Sequence, residues 1–151
     1  MNTKFDIKNL KIGIVGLGYV GLPLATGLAQ AGYHVVGLDL DSRKVEALSR
    51  GESYIQDIRS MVVSDLVQLG RFHPTTDYDS LSDLDVIFIC VPTPFDAMKA
   101  PDLGYIESAA QGIAKRLKQG QLIVLQSTTF PGTTRSDAVF TLAGVPGRSK
   151  I

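Results

Sequence analysis

The stretch Gly16-Leu17-Gly18-Tyr19-Val20-Gly21 decides the fold, because it lies between a predicted strand and a predicted helix. Before it, Lys11 to Val15 is typical of a short strand. From within it, Tyr19 to Ala31 has the pattern of a helix, and Gly32 suits the left-handed position that follows one. A strand, a glycine-rich turn and a helix in this order begin a βαβ unit.

The same alternation continues along the chain. Apolar runs predict four further strands, over Tyr33 to Leu38, Phe72 to Thr75, Asp85 to Val91 and Gln121 to Leu125. Helical signals predict four further helices, from Asp41 or Ser42 to Arg50, Ser60 to Leu69, Leu103 to Leu117 and Thr133 to Leu142. Alternating strands and helices imply right-handed crossovers. The predicted fold is a single doubly wound (Rossmann) α/β domain, residues 1–151, with helices on both faces of a parallel sheet.

Charge and composition favour a small-molecule partner. Fifteen basic and fifteen acidic residues cancel, so the chain has no positive field of the kind that draws proteins to nucleic acid. The uncharged stretch Ile12 to Tyr33 is long enough for a membrane span, but six glycines and Pro23 divide it into a strand, a turn and a helix. We therefore expect neither a nucleic-acid nor a membrane partner.

Each glycine of the turn has a physical task in binding a dinucleotide. Gly16 permits the tight turn, Gly18 lets the backbone approach a pyrophosphate, and Gly21 lets the helix pack closely on the strand. The helix N-terminus attracts the negative charge. The alternative is that the glycines serve only a tight strand-to-helix turn.

Asp39, at the end of the second strand, indicates which dinucleotide binds. Its carboxylate can accept hydrogen bonds from the adenosine ribose hydroxyls, and its charge would repel the extra phosphate of NADP, so NAD is favoured. Arg43 is a residue type that an NADP site would use, but with Asp39 in place we expect it to lie against the adenine or ribose. The alternative for Asp39 is a helix cap.

Two further loops follow strands and carry candidate ligands. Thr93 lies after the fourth strand and Thr128 after the fifth. Ligands bind at the carboxyl ends of strands in an open parallel sheet, so Thr93 and Thr128 should share one crevice with the glycine turn and Asp39. The alternative is that the prolines and threonines of these two loops only end strands and cap helices.

The remaining reactive side chains are expected to be structural. Cys90, the one cysteine, lies in an apolar run, where burial raises the pKa of a thiol and keeps the thiolate scarce. His34 and His73 have no partner ligands at metal spacing, so we expect no metal site.

Five segments in order form one specific pattern. They are Ile12 to Ala25, Gly51-Glu52-Ser53-Tyr54-Ile55, Cys90-Val91-Pro92-Thr93-Pro94, Pro101-Asp102-Leu103 and Ser127-Thr128-Thr129-Phe130-Pro131-Gly132-Thr133-Thr134. Together they resemble the N-terminal NAD-binding domain of the UDP-glucose/GDP-mannose dehydrogenase family. Within that family the pattern is most similar to the branch acting on UDP-N-acetylhexosamines, such as UDP-N-acetylglucosamine and UDP-N-acetylmannosamine 6-dehydrogenases.

The resemblance implies an oxidoreductase that oxidises the C6 hydroxyl of a UDP-sugar to a carboxylate, using two NAD, for surface polysaccharide synthesis. The residues that it implies as NAD contacts are Tyr19, Val20, Asp39, Arg43, Thr93 and Thr128. It places Thr128 near the nicotinamide and the reacting centre. It also implies a cytoplasmic location and, for the full-length enzyme, a homo-oligomer.

The family's nucleophilic cysteine and other catalytic residues follow the matching region, so we expect no catalytic residue in this chain and no activity from it alone. Residues 10–142 form the family-like core, whereas 143–151 depart from the pattern. The expected domain therefore lacks its last strand, and the central and C-terminal UDP-sugar domains are absent. Gln126 stands where relatives often have glutamate, and an amide can only hydrogen-bond.

Two other functions fit part of the pattern. A non-catalytic NAD-sensing module would explain the glycine turn and Asp39, but it gives no reason for Thr93 and Thr128 at the nicotinamide end. A degenerate remnant that folds and binds nothing would explain Gln126 and the unusual tail.

Overall fold

The computed structural model describes residues 7–127, and the elements found there are those that the sequence predicts, with small shifts at their ends. In chain order they are β1 (Lys11–Val15), α1 (Gly21–Gln30), β2 (His34–Leu38), α2 (Ser42–Ser49), α3 (Ser60–Gln68), β3 (Phe72–Thr75), β4 (Val86–Ile89), α4 (Gly104–Ala114) and β5 (Leu122–Leu125). Short 3₁₀ segments over Ile7–Asn9 and Tyr78–Leu81, which the patterns do not predict, complete the described part.

The five strands form one parallel sheet in the order β3-β2-β1-β4-β5. In the centre, Ile12 of β1 lies opposite Val35 on one side and Val86 on the other. The chain runs outward from β1 to β3 and then returns to start the other half at β4. The strand order therefore reverses beside β1, the position at which open α/β sheets bind ligands.

Side chains alternate between the two faces of β1 and build a core on each. Ile12 and Ile14 pack in one cluster with Leu22 and Ala25 of α1. Val15 faces the other way and joins a second cluster that includes Ile113 of α4. Helices thus cover both faces, and the predicted doubly wound α/β fold is confirmed.

The fourth strand is shorter than the sequence predicts. It ends at Ile89, so Cys90 follows the strand directly and does not lie within it. The N–H of Cys90 still donates to the carbonyl of Val15 at 2.7 Å. Pairing stops there because Gly16 turns the neighbouring chain away from the sheet.

Three predictions concern residues outside 7–127. They are the helix from Thr133 to Leu142, the role of Thr128 and the missing last strand. Among the described residues, no helix is long and apolar enough to cross a membrane. The uncharged stretch that raised the question contains α1, which has only ten residues.

Candidate functional site

A cleft of about 660 Å³ lies at the carboxyl ends of four neighbouring strands. Its lining includes Gly18 after β1, Asp39 after β2, Thr93 after β4 and Gln126 after β5. Small-molecule sites commonly enclose about 300–1,000 Å³. The structure thus brings the predicted residues of three strand ends into one ligand-sized space.

Two glycines of the turn are required by close backbone contacts. Gly16 has φ of +95°, and a Cβ there would lie 2.7 Å from the carbonyl oxygen of Cys90. A Cβ on Gly21 would lie 1.7 Å from the carbonyl oxygen of Gly16. Any side chain at Gly21 would push the start of α1 off the turn that precedes it.

Gly18 differs, because no atom of residues 7–127 outside its immediate neighbours lies within 4 Å of a Cβ built there. The space beside it belongs to the cleft, which Tyr19 and Val20 also line with 85% and 52% of their surfaces exposed. No side chain caps α1 at Val20, and its first turn holds no acidic residue. An open space at an uncapped helix N-terminus fits an anionic group such as a pyrophosphate.

Asp39 faces the glycine turn. One carboxylate oxygen, Oδ2, accepts from the N–H of Leu17 at 2.9 Å, and Oδ1 accepts from the N–H of Asp41 at 2.9 Å. The cap of α2 is Asp41, which accepts from the N–H of Arg43, so the alternative that Asp39 caps this helix is wrong. A carboxylate accepts about four hydrogen bonds, so Asp39 keeps capacity for ribose hydroxyls.

The cation at this end of the cleft is Lys44, which the sequence analysis missed. Its Nζ lies 3.4 Å from Asp39 Oδ2. The guanidinium of Arg43 instead pairs with Asp41 at 2.9 and 3.0 Å, is 88% exposed and does not line the cleft. The sequence did contain a signal for Lys44. Leu48, four residues after Lys44, is fully buried, so both residues lie on the inward side of α2.

A second wall of the cleft comes from the α4 side of the sheet. Tyr105, Ser108 and Ala109 of α4 line it at helical spacing, together with Tyr78 from the 3₁₀ segment. The guanidinium of Arg116, 5.7 Å from the centre of the Tyr78 ring, supports that ring. The sequence analysis missed this wall, although the three-and-four spacing on α4 was available as a signal.

The β5 end of the cleft carries polar groups. Ser127 donates its hydroxyl to the carbonyl of Val91 at 2.8 Å, which ties the loop after β5 to the loop that holds Thr93. Thr93 and Gln126 both line the cleft. Thr128, the next residue, lies outside the described part of the chain.

No metal centre accompanies the cleft within residues 7–127, where no three His, Cys, Asp or Glu side chains are grouped to hold an ion. His34 places Nδ1 3.4 Å from the carbonyl oxygen of Gly70. Among the described residues, this ring contact is with the backbone, at the end of β2 that is opposite the cleft.

Cys90 lines the cleft but is 6% exposed. Burial raises the pKa of its thiol to about 11. At neutral pH the thiol is therefore almost wholly protonated and a poor nucleophile. The prediction that Cys90 is structural is in line with this environment.

Alkylation measures this directly. At pH 8 we expect Cys90 to react with iodoacetamide at least about tenfold more slowly than free cysteine, because both the thiolate fraction and access are low. The same chain in concentrated urea should react at the free rate. A folded chain that reacts as fast as free cysteine would contradict the burial of this thiol.

Comparison with known proteins identifies the family of the chain. Residues 10–143 match the model of the UDP-glucose/GDP-mannose dehydrogenase family, NAD binding domain. The NDP-N-acetyl-D-galactosaminuronic acid dehydrogenase of Ralstonia nicotianae is 42% identical over 135 residues, covering 89% of this chain and 31% of that protein. The UDP-N-acetyl-D-mannosamine dehydrogenase of Escherichia coli is 40% identical over 129 residues, covering 84% and 30%.

Solved structures show the same fold. The GDP-mannose dehydrogenase of Pseudomonas aeruginosa, solved as a ternary complex, superposes with a TM-score of 0.86 at 34% identity, over 91% of this chain and 33% of that chain. The chain thus spans about a third of the length of these relatives. The predicted resemblance and the predicted cofactor, NAD, are confirmed. This chain belongs to the UDP-glucose/GDP-mannose dehydrogenase family and matches its NAD-binding domain.

Proposed function

We propose that this chain is the cofactor-binding part of an NAD-dependent dehydrogenase that oxidises C6 of a UDP-sugar. The observation that carries the proposal is the open space at Gly18, beside the uncapped start of α1 and in the same cleft as Asp39. No contact within the described protein requires a glycine there. A phosphate of the ligand, which needs the space beside Gly18, explains why this position is a glycine.

Each part of NAD has a proposed place in the cleft. The pyrophosphate lies against Gly18, Tyr19 and Val20 at the N-terminus of α1. Asp39 accepts hydrogen bonds from the adenosine ribose hydroxyls. Lys44, which pairs with Asp39, lies against the adenine or ribose, the position that the sequence analysis expected for Arg43. The nicotinamide then extends past β4 toward Thr93 and Thr128. When bound, NAD supplies the hydride acceptor.

A UDP-N-acetylhexosamine is the proposed substrate class. Two relatives support it, since their names refer to N-acetyl-D-galactosaminuronic acid and N-acetyl-D-mannosamine. Cys90 is not the proposed nucleophile, because its thiol is buried and protonated. The sugar site and the catalytic thiol therefore belong to other parts of the enzyme, which we propose to be a cytoplasmic homo-oligomer.

The length of the cleft favours an oxidoreductase over an NAD-sensing module. It continues beyond the glycine turn and past β4 to Gln126 and Ser127 at the end of β5. Recognition of the adenosine and pyrophosphate needs only the β2 and β1 side. Open space at the β4 and β5 side is what a reacting nicotinamide requires.

Cofactor preference tests the proposal. We expect NAD to bind at least about tenfold more tightly than NADP in calorimetric titration, because the Asp39 carboxylate repels a 2′-phosphate at close range. Asp39→Asn should narrow the ratio to about threefold or less, since the repulsion is lost and Lys44 is freed to pair with the phosphate. It should also weaken NAD itself, because Asp39 holds the N–H of Leu17.

A matched control is Glu46→Gln, which removes a carboxylate from the exposed face of α2 outside the cleft. This substitution should leave the ratio of the NAD and NADP affinities unchanged. Equal affinity of the unmodified chain for NAD and NADP would rule out Asp39 as the ribose ligand. Failure to bind either cofactor would refute the proposed function.

A further inference from the structure

Tyr54 reaches from the segment after α2 back to Leu17 in the glycine turn, 37 positions earlier. Its hydroxyl donates a hydrogen bond to the carbonyl oxygen of Leu17 at 2.5 Å. It lies in the segment Gly51 to Ile55, one of the five that carry the family resemblance. The residue itself does not line the cleft.

Leu17 is consequently held on two sides. Its N–H donates to Asp39 Oδ2 at 2.9 Å, and its carbonyl accepts from Tyr54. These two groups belong to successive peptide units, Gly16–Leu17 and Leu17–Gly18. The two peptide planes that precede Gly18 are therefore each fixed by a side chain from another part of the chain.

The second of these planes sets the direction of an N–H group. In a trans peptide the C=O of one residue and the N–H of the next point in opposite directions, and no peptide in the described chain is cis. Because the Leu17 carbonyl points at Tyr54, the Gly18 N–H points away from Tyr54. Gly18 lines the cleft and Tyr54 does not, and we take the cleft to be the side that the Gly18 N–H faces.

We propose that Tyr54 is a positioning residue for the pyrophosphate of NAD, because its hydroxyl fixes the Leu17–Gly18 peptide with the Gly18 N–H turned toward the cleft. The inference rests on the proposed function of the cleft. A Leu17–Gly18 peptide without this bond has no other described partner for its carbonyl, and rotation of its plane would withdraw the donor from the ligand.

The surroundings of Tyr54 suit a permanent donor. Burial, and secondarily the negative charges of Asp39 and Asp41, raise the pKa of the phenol far above its ordinary value. The hydroxyl therefore stays protonated, and able to donate, at neutral pH. Lys44 Nζ lies 5.8 Å from the centre of the Tyr54 ring. Tyr54→Phe keeps the ring and this contact and removes only the hydroxyl.

The test compares ligands that share adenosine and differ in phosphate. The 151-residue chain and its Tyr54→Phe variant are titrated with NAD, ADP and adenosine. We expect the variant to bind NAD and ADP about fivefold to tenfold more weakly, less than the full loss of a hydrogen bond to a charged group because the Gly18 N–H is misdirected and not removed, with adenosine unchanged within about twofold. Tyr33→Phe is the matched control, since Tyr33 packs on the core outside the cleft, and it should change none of the three.

A spectroscopic signal separates positioning from general loosening. In ¹⁵N-labelled unmodified protein, ADP should shift the Gly18 amide proton downfield, and in Tyr54→Phe this shift should shrink by at least half. Unchanged ADP affinity, or an equal loss for adenosine, would overturn the proposal while leaving the cofactor assignment intact. Absence of NAD binding by the unmodified chain would overturn both.

Discussion

Gly18→Val is expected to lower the affinity for NAD by at least about 100-fold and to leave the fold in place, since the branched side chain occupies the space that the pyrophosphate needs. The described part of the chain has room for the side chain, because none of its atoms beyond the neighbouring residues lies within 4 Å of a Cβ at this position. The backbone also permits it, since Gly18 is not among the glycines with positive φ. Calorimetric titration with NAD measures the loss, and thermal unfolding followed by circular dichroism reports the fold.

Gly27→Val is the matched control for this substitution. Gly27 lies in α1, the helix that follows the turn, is exposed, and does not line the cleft, and no described atom lies within 4 Å of its Cβ position. The Gly27→Val variant should bind NAD with the affinity of the unmodified chain. If a folded Gly18→Val protein also retains full affinity, the pyrophosphate does not lie at the start of α1, and the assignment of the glycine turn fails.

Gly21→Ala is expected to affect stability and not only binding. The added Cβ would lie 1.7 Å from the carbonyl oxygen of Gly16 and 3.3 Å from the Cβ of Cys90, so α1 must move away from the turn and from β4. Forced repacking of a buried backbone contact costs about 3 kcal/mol or more. For a domain of this size that lowers the melting temperature by roughly 10 °C.

Urea denaturation of Gly21→Ala gives the change in free energy of unfolding. Gly27→Ala is its control, because the same methyl group meets open space in the same helix. It should raise stability by about 0.5–1 kcal/mol, since alanine loses less conformational freedom in a helix than glycine does. A Gly21→Ala protein as stable as the unmodified chain would show that the turn and α1 are not packed as closely as described.

The sequence was sufficient for the fold because each element carries its own local signal. The alternation of short apolar runs and helical patterns, with Gly32 and Gly51 at φ of +103° and +77° after two helices, does not depend on distant contacts. The end of β4 was the exception. Its last pairing partner is set by where β1 turns at Gly16, a feature that lies far away in the sequence.

The candidate site divides in the same way. Gly16, Gly18, Gly21 and Asp39 belong to a motif of fixed spacing, so one stretch of chain identified them. Lys44 and the α4 wall had a helical spacing in the sequence that marks one face of each helix, but which face meets the turn, and the contact of Tyr54 with Leu17, become visible only when the elements are packed. Arg43 and Lys44 are adjacent and both basic, so charge alone could not choose between them. The helical rotation of about 100° per residue distinguishes them, because it directs the two side chains to different faces of α2.

The central position of β1 also determines how the domain is made. Lys11, at its start, donates its N–H to the Asp85 carboxylate at 2.8 Å, a bond between residues 74 positions apart, so one side of β1 is completed only when β4 has been synthesised. A ribosome adds about 5–20 residues per second, which leaves that side without a partner for roughly 4–15 seconds. An apolar strand edge that waits this long can pair with another nascent chain. Residues 11 to 15 therefore depend on a later part of the chain for half of their pairing, and the centre of the sheet is completed during synthesis only after β4.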